Sequence, residues 1–194
     1  MNVATSNKTG QIELGAAVFA PVAPEDFYEA VLDVRGFPAW APGVRRVGVL
    51  SGEGGAGMLS EWEVSFLGFT KKVLSELEEA ESPSRLRWSY GGPVEGWGGC
   101  FIERVREGTL ASFRTALAPA DPLLASLARG AAARGAARTH LRRSLSRLGR
   151  LVAGDDARVM VGPVVEERRQ PAPPLHAGNP VGAGFKPARP HRAG

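Results

Sequence analysis

The sequence predicts an α+β domain that consists of an antiparallel sheet of about seven strands, two short helices after the first strand, and a long C-terminal helix. Three observations support this prediction. A segment of alternating apolar residues precedes a short amphipathic segment. Short apolar segments then alternate with turn sequences between residues 44 and 118. Finally, leucines and alanines recur at helical spacing from residue 123 to residue 152.

The first strand is predicted over residues 12–19, where apolar side chains occupy every second position. A helix is predicted to begin at Pro24, because proline loses no hydrogen bond in a first helical turn and the two acids after it favour the positive end of a helix. Gly36 then breaks this helix, and Phe37 and Trp40 are predicted to anchor a second, short helical turn.

Six further strands are predicted from alternation and from glycine or proline turns, over residues 44–50, 58–66, 71–80, 85–90, 100–105 and 110–118. Residues 91–99 (GGPVEGWGG) are predicted to be a loop between two of them. The last element is predicted to be one uninterrupted helix, with an apolar stripe at Leu123, Leu127, Ala131, Leu141, Leu145, Leu148 and Val152. Successive antiparallel strands of this length are typical of a sheet with one buried face.

The domain is predicted to span residues 11–153. Residues 1–10 are predicted to be a disordered leader, because they are polar and lack periodicity. Residues 154–194 are predicted to be a disordered basic tail, because they are rich in proline and glycine and offer too little apolar surface to offset the entropy of ordering them.

Composition excludes several classes of function. The single cysteine cannot form an intramolecular disulfide, and three scattered histidines offer no ligand spacing for a metal, so neither a metal nor another cofactor is expected. No apolar run reaches the roughly 18 residues that a membrane-spanning helix needs. The first residues do not resemble a signal peptide, and we expect a cytoplasmic protein.

The positive charge is concentrated in one segment. Residues 1–121 carry 11 basic and 16 acidic side chains, whereas residues 122–153 carry seven arginines and no acid. This basic helix either pairs with the acidic remainder of the domain or forms a solvated surface. Specific nucleic-acid binding is not expected, because the helix has no aromatic side chains between its arginines.

Several sequence segments resemble the START-like (SRPBCC) superfamily, in its polyketide cyclase/dehydrase and coenzyme-Q-binding branches. They are APVAPEDFYEAVLDVRGFPAWAPGVRRVGVL, EWEVSFLGF, SELEEAESPSRLRWSY and REGTLASFRTAL, within residues 12–152. The resemblance implies a helix-grip fold, in which a curved antiparallel sheet wraps around the long last helix. It also implies an apolar cavity between them that receives a lipid, an isoprenoid quinone or a polyketide-like molecule.

Strand alternation indicates which side chains would line such a cavity. Trp62 and Val64 lie in an inward row of the third strand, and comparable rows occur around Trp88 and Phe113. Aromatic walls with a few polar atoms are typical of sites for hydrophobic ligands, although a filled core has the same pattern. The predicted ligand-binding residues are Trp62, Val64, Phe66, Trp88, Tyr90, Phe113, Arg138 and Leu141.

Three functions remain open at this point. The first is non-catalytic binding or transport of a hydrophobic molecule, and the second is a cyclase or dehydrase that uses the same cavity, with Tyr90 or Arg138 as the first suspects for proton transfer. The third is an interaction module that docks through the arginine-rich helix, although no obligate protein partner is expected. Phe37 and Trp40 either form a buried hinge or contact a membrane surface transiently. Cys100 is expected to be a buried thiol, because no base lies near it in the sequence.

The glycine-rich segment 52–57 (GEGGAG) has the G-x-G-x-x-G spacing of dinucleotide-binding loops. That motif requires a helix after it, whereas a strand is predicted to follow here. The segment is therefore interpreted as a hairpin loop.

Overall fold

The computed structural model describes residues 11–163 except 67, 129, 156 and 157, and it describes no side chains for residues 66, 69, 123, 124 and 127. The described strands are β1 (Ile12–Ala20), β2 (Val44–Ser51), β3 (Leu59–Phe66), β4 (Phe69–Glu81), β5 (Arg85–Gly91), β6 (Val94–Val105), β7 (Gly108–Pro119) and β8 (Met160–Gly162). The described helices are α1 (Pro24–Leu32), α2 (Phe37–Trp40), α3 (Pro122–Ala128) and α4 (Ala131–Ala153), with a 3-10 turn at Val34–Gly36. All these elements belong to one compact unit, residues 1–164.

The strands form one antiparallel sheet in the order β2-β3-β4-β5-β6-β7-β1-β8. The long helix α4 packs on the inner face of this sheet, with Gly149 against Val18 of β1. This arrangement confirms the predicted α+β helix-grip architecture. We name the end of the sheet at which β1 begins and β5 and β7 finish the lower end, and the opposite end the upper end.

The two short helices form where they were predicted. Helix α1 begins at Pro24 and buries Phe27 and Val31 against the sheet. Helix α2 buries both of its aromatic side chains, Phe37 and Trp40. Both side chains are buried, as the buried-hinge interpretation requires.

The prediction of one uninterrupted C-terminal helix is wrong. Gly130 has φ −61° and ψ 144°, which is extended backbone, and it serves as the N-cap of α4. Two separate helices, α3 and α4, result. A glycine lowers helix stability, so the chain leaves the helical conformation easily at this position.

The prediction of a loop over residues 91–99 is also wrong, because β6 already begins at Val94. Gly96 and Gly98 face inward opposite Tyr90 and Trp88 of β5. A Cβ atom at Gly98 would overlap the indole ring of Trp88. Gly98, which resembled part of a loop, is thus needed in a strand, where it leaves room for the indole ring of Trp88.

The structure adds an eighth strand within the segment that was predicted to be disordered. Strand β8 pairs with the edge strand β1, with Val161 opposite Val18. Before it, Val159 packs against Gly149 of α4. The ordered domain therefore extends beyond residue 153, while the predicted leader and most of the predicted tail, residues 164–194, lie outside the described residues.

Candidate functional site

The inner face of the sheet carries the side-chain rows that strand alternation predicts. In β3, Ser60 and Trp62 lie opposite Ser75 and Val73 of β4, and all four side chains are buried. Residues 86, 88 and 90 of β5 continue this face, followed by alternate residues of β6 and β7. A wall of aromatic and small polar side chains therefore faces the helices.

A small cavity lies beneath α1, the 3-10 turn and α2. Its lining includes Val31, Phe37, Ser60, Trp62, Leu77 and Trp88, and its volume is about 20 Å³. A cavity of this size holds about one water molecule and no lipid. No residue of α4 lines it. The cavity thus differs in place from the one that was predicted between the sheet and the C-terminal helix.

The polar atoms in this cavity wall are connected to one another. The indole Nε1 of Trp62 donates to Ser60 Oγ at 2.7 Å, and Ser60 Oγ donates to the carbonyl oxygen of Ser75 at 3.4 Å. The ring of Phe37 meets Trp62 edge-on, with 4.6 Å between the ring centroids. Buried polar groups that are hydrogen-bonded in this way stabilise the wall, and the rings supply most of its apolar area.

Trp40 also contacts Phe37, but it differs from Trp62 in the hydrogen bonding of its indole nitrogen. Its centroid lies 4.2 Å from that of Phe37, and its Nε1 is buried without a hydrogen-bond partner among the described residues. A buried donor that lacks an acceptor reduces stability. The ring that carries this donor packs against Phe37, which lines the cavity.

A second group of polar side chains lies on the inner face towards the lower end. Trp88 Nε1 donates to the phenol oxygen of Tyr90, which also hydrogen-bonds with Thr115. Thr115 Oγ1 donates to the carbonyl oxygen of Trp97 at 2.8 Å. Burial raises the pKa of Tyr90 to about 12, although its hydrogen bonds with Trp88 and Thr115 act in the opposite direction. The phenol is therefore neutral at physiological pH.

Burial along α4 changes from one end of the helix to the other. Leu148, Leu145, Leu141, Arg138 and Arg134 are separated by three or four residues in turn, so they share one side of the helix. Leu148 and Leu145 are fully buried, Leu141 is half-buried, and Arg138 and Arg134 are exposed. The N-terminal half of α4 still packs, through the small side chains of Ala133 and Ala137, whereas the two arginines beside them are exposed.

The inner face of the sheet shows the same change. Leu86 and Ala111 at the upper end are at most 1% exposed. Towards the lower end, the inward side chains of Trp88, Tyr90, Thr115 and Leu117 are only half-buried. Ile12, at the same end of the neighbouring strand β1, remains buried. The partly exposed part of the inner face therefore lies over β5 to β7 and does not extend to β1. We name the region formed by these four sheet residues the lower opening.

The predicted site residues fall into three groups. Trp62 and Trp88 line the cavity. Tyr90 lies at the lower opening, Leu141 packs half-buried against the core, and Arg138 is exposed on α4 and does not line the cavity. Phe113 is buried with its ring centroid 6.5 Å from that of Phe27, Val64 packs at the edge of the core, and the side chain of Phe66 lies outside the described residues.

Sequence reasoning missed several residues that line the cavity: Val31, Ser75, Leu77 and Val34 of the 3-10 turn. Leu77 lies between Glu76 and Glu78 in β4, and Ser75 lies two positions before it on the same face, so this period of two was a usable signal. No comparable signal exists for the turn, because its position over the sheet depends on the chain path after α1.

Cys100 is fully buried, and burial raises the pKa of its thiol well above the usual value. A protonated buried thiol is a poor nucleophile, in agreement with the structural interpretation. The described part of the chain holds no group of three or more His, Cys, Asp or Glu side chains that suits a metal ion.

His140 joins α4 to the turn after α2. A Cβ atom at Gly43 would lie 2.6 Å from His140 Nε2, so the imidazole packs directly on this glycine. Burial lowers the pKa of His140, and the positive charges of Arg143 and Arg147 lower it further. Together with the buried Ala133 and Ala137, this contact helps to fix the N-terminal half of α4.

Within the part of the chain that the structure describes, no helix is both long and apolar enough to cross a membrane. The segment 52–57 connects β2 to β3, with positive φ angles at Gly52, Gly54 and Gly57. It is a hairpin loop, as predicted, and it does not start a helix.

Residues 11–153 match the protein family described as polyketide cyclase/dehydrase and lipid transport. No curated protein matches the chain in sequence. Among solved structures, protein TTHA0849 from Thermus thermophilus is similar, with 23% identity, a TM-score of 0.63, and coverage of 72% of this chain and 96% of that one. A START superfamily protein from Mycobacterium smegmatis is similar with 14% identity, a TM-score of 0.58, and coverage of 72% and 99%.

The chain is also similar to StfQ, a di-domain ARO/CYC protein from the steffimycin biosynthetic pathway. The identity is 17% and the TM-score is 0.55, with 74% of this chain and 51% of StfQ covered. At these identities the structural similarities show a shared fold.

Proposed function

The chain belongs to the polyketide cyclase/dehydrase and lipid transport family, and on this basis we propose that it binds a hydrophobic small molecule on the inner face of its sheet. Lipids, isoprenoid quinones and polyketide-like aromatic compounds are the candidate ligands. The observation that carries the proposal is the lower opening, where inward-facing aromatic side chains are reached by solvent although they face the helical layer. Ligand binding would remove the apolar surfaces of these side chains from water.

The ligand would extend from the lower opening towards the cavity. Trp88 is common to both, because it lines the cavity and donates a hydrogen bond to Tyr90. Since the cavity itself measures about 20 Å³, a ligand would have to move the lining side chains apart. The driving force would be burial of apolar area, at about 25 cal/mol for each Å² of surface removed from water.

A substitution that fills the lower opening with a larger side chain tests this proposal. In Leu117→Trp a large side chain would be added to the inner face, whereas in Ala118→Trp the same side chain would be added one position later, on the outer face. We expect Leu117→Trp to weaken binding at least about tenfold, which corresponds to the loss of a moderate apolar contact area. The Ala118→Trp control is expected to bind like the wild type.

The measurement is native mass spectrometry with isothermal titration of the full chain, using oleyl alcohol, ubiquinone-2 and emodin as probes for the three ligand classes. Urea unfolding of both variants would establish that they are folded. If the wild-type chain binds none of the three probes, the proposed function is wrong. Equal binding by both variants would place the ligand away from the lower opening.

A cyclase or dehydrase activity is the second candidate function, and Tyr90 is the observation that favours it. Its phenol lies on the inner face with a pKa of about 12, so it could not act as a base at neutral pH. It could donate a proton or a hydrogen bond to a ligand carbonyl in exchange for its bond to Thr115, whose hydroxyl already donates to Trp97. With a linear polyketide substrate, Tyr90→Phe is expected to lower the cyclisation rate about 100-fold while substrate affinity is retained. An unchanged rate would remove Tyr90 from this role.

A further inference from the structure

Two glycines interrupt the side chains of β6 on the inner face, beside the lower opening. Gly98 lies between Trp88 of β5 and Thr115 of β7. Gly96 takes the place two residues earlier, opposite Tyr90 of β5. Neighbouring strands are about 4.8 Å apart, so β5 and β7 are separated by about 10 Å with no side chain between them at these positions. The inner face therefore has a gap over β6.

Two aromatic side chains of β5 fill this gap. A Cβ atom at Gly98 would overlap the indole ring of Trp88, so that ring lies over β6 rather than above its own strand. Tyr90 extends in the same direction, because its phenol hydrogen-bonds with Thr115 of β7, two strands away. The two rings therefore occupy space on the inner face that no side chain of β6 requires.

A chain of hydrogen bonds holds the rings in this position. Trp88 Nε1 donates to the phenol oxygen of Tyr90. The hydroxyl of Thr115 donates its single hydrogen to the carbonyl oxygen of Trp97 at 2.8 Å. In its bond with Tyr90, Thr115 is therefore the acceptor and the phenol is the donor. All three donors point the same way along the chain, and hydrogen bonds arranged in this way strengthen one another.

Trp88 also lies between solvent and the cavity. Most of the described sheet residues that line the cavity are buried, namely Ser60, Trp62, Ser75, Leu77 and Leu86. Trp88 lines the cavity as well but is half-buried, and it belongs to the lower opening. On the helical side, Leu32 and Val34 are half-buried too. A ligand that enters across the sheet must therefore pass Trp88, whereas one that enters at the 3-10 turn need not.

We propose that the rings of Trp88 and Tyr90 form a gate over the inner face, and that Thr115 is the positioning residue that keeps this gate closed. With the gate closed, the cavity measures about 20 Å³. With the rings moved out of the gap, the cavity and the lower opening become one apolar site. The gate rests on the proposed function, because it controls access to that same site. Only the open fraction of the protein accepts a ligand, so the closed gate lowers the apparent affinity.

Removal of the Thr115 hydroxyl tests the gate, because it is expected to strengthen binding. Thr115→Val keeps the shape of the side chain but leaves the phenol of Tyr90 without its acceptor in the closed form. The bond from Thr115 to the carbonyl of Trp97 is lost in both forms and does not change the equilibrium between them. Thr115→Ala removes the same hydroxyl with a smaller side chain, so the test does not depend on one variant.

Two matched controls separate the gate from a general effect of the substitutions. Thr115→Ser retains the hydroxyl, and Ser112→Ala removes a hydroxyl from the outer face of the same strand. The probe is Nile red, a neutral dye that fluoresces in apolar surroundings. Fluorescence titration of the full chain gives its affinity, and stopped-flow mixing gives its association and dissociation rates. Urea unfolding establishes that each variant is folded.

We expect Thr115→Val and Thr115→Ala to bind Nile red about fivefold more tightly than the wild type, since the closed form loses one neutral hydrogen bond. The gain should appear in the association rate, with the dissociation rate unchanged, because the open fraction increases while the bound state stays the same. Both controls should bind like the wild type.

Three results would contradict the gate. A gain that appears only as slower dissociation would mean that the new side chain contacts the dye. Equal rates in the wild type and both hydroxyl-free variants would mean that the dye does not pass Trp88, while hydrophobic binding stands. If no protein binds Nile red although the wild type binds oleyl alcohol, ubiquinone-2 or emodin, the gate is wrong and the proposed function stands. If all four probes fail, both proposals are wrong.

Discussion

The two ends of helix α4 face the same sheet but make opposite kinds of contact with it. At the upper end, Leu145 and Leu148 are fully buried, and Gly149 allows Val18 and Val159 to approach the helix backbone. Towards its N-terminal end, the helix packs through the small side chains of Ala133 and Ala137 and a half-buried Leu141. The first region buries large apolar side chains in close packing, whereas the second buries much less apolar volume.

This difference shows how one helix can serve both stability and binding. Buried leucines at one end fix the helix on the sheet through apolar contacts. The other end is held by a few contacts, among them His140 on Gly43. Regions with fewer buried apolar contacts open at lower free energy, so ligand-dependent movement is expected at the lower end.

The largest expected effect is a difference in stability between substitutions at the two ends of α4. Leu148→Ala should lower the free energy of unfolding by about 2–5 kcal/mol, because it removes a fully buried side chain and leaves a cavity. Leu141→Ala should cost only about 1 kcal/mol, because a half-buried side chain returns less apolar surface to water. Urea unfolding of both variants measures the difference. Equal costs would mean that the lower end is packed as tightly as the upper end.

A smaller effect is expected at the inner face between the two ends. In Gly98→Ala the new methyl group would overlap the indole ring of Trp88, and we expect a loss of about 1–3 kcal/mol in stability from this overpacking. The matched control is Gly91→Ala, since a Cβ at Gly91 meets no atom within 4 Å. The control should change stability by less than about 0.5 kcal/mol. If both variants unfold at the same urea concentration, Trp88 is free to move and the contact is not a packing constraint.

The smallest effect concerns pH and the contact at His140. The folded chain protonates His140 at a lower pH than the ordinary value of 6.5, because burial and then Arg143 and Arg147 disfavour the charged form. Stability from this residue is therefore complete above pH 6.5 and decreases as the pH falls below it, since the unfolded chain then binds the proton more readily.

Unfolding of the wild type and of His140→Gln at about pH 7.5 and about pH 5.5, on either side of the ordinary histidine pKa, measures this contribution. The wild type should lose more stability than the variant between the two values, and the extra loss is expected to be small because the imidazole is only half-buried. A pH dependence that is identical in the two proteins would show that His140 does not report on the contact between α4 and Gly43.

Local patterns predicted most of the fold. The alternation in β1, the proline at the start of α1 and the Phe37–Trp40 segment are short-range signals, and each predicted element is present. The inward rows of β3, β5 and β7 follow from the period of two in a strand. These signals depend on neighbouring residues only, and for that reason they can be read from the sequence.

The errors occurred where distant residues decide the structure. The glycines of β6 resemble a loop until Trp88 and Tyr90 are placed opposite them on β5. Strand β8 has three residues and exists because the edge of β1 offers it hydrogen-bond partners. Gly130 separates α3 from α4, and the position of α4 is set by its packing on β1. Each of these features depends on a contact that the local pattern does not contain.

The sequence by itself determined the order of the elements, the face of each strand that points inward and the charge of the last helix, because side-chain period and composition are local properties. Only the tertiary structure decided where the inner face is closed and where it is open. The same leucine and arginine spacing in α4 is compatible with several placements of the helix on the sheet. Packing against β1 at Gly149 selects the placement that buries Leu148 and Ala137 and leaves Arg138 exposed.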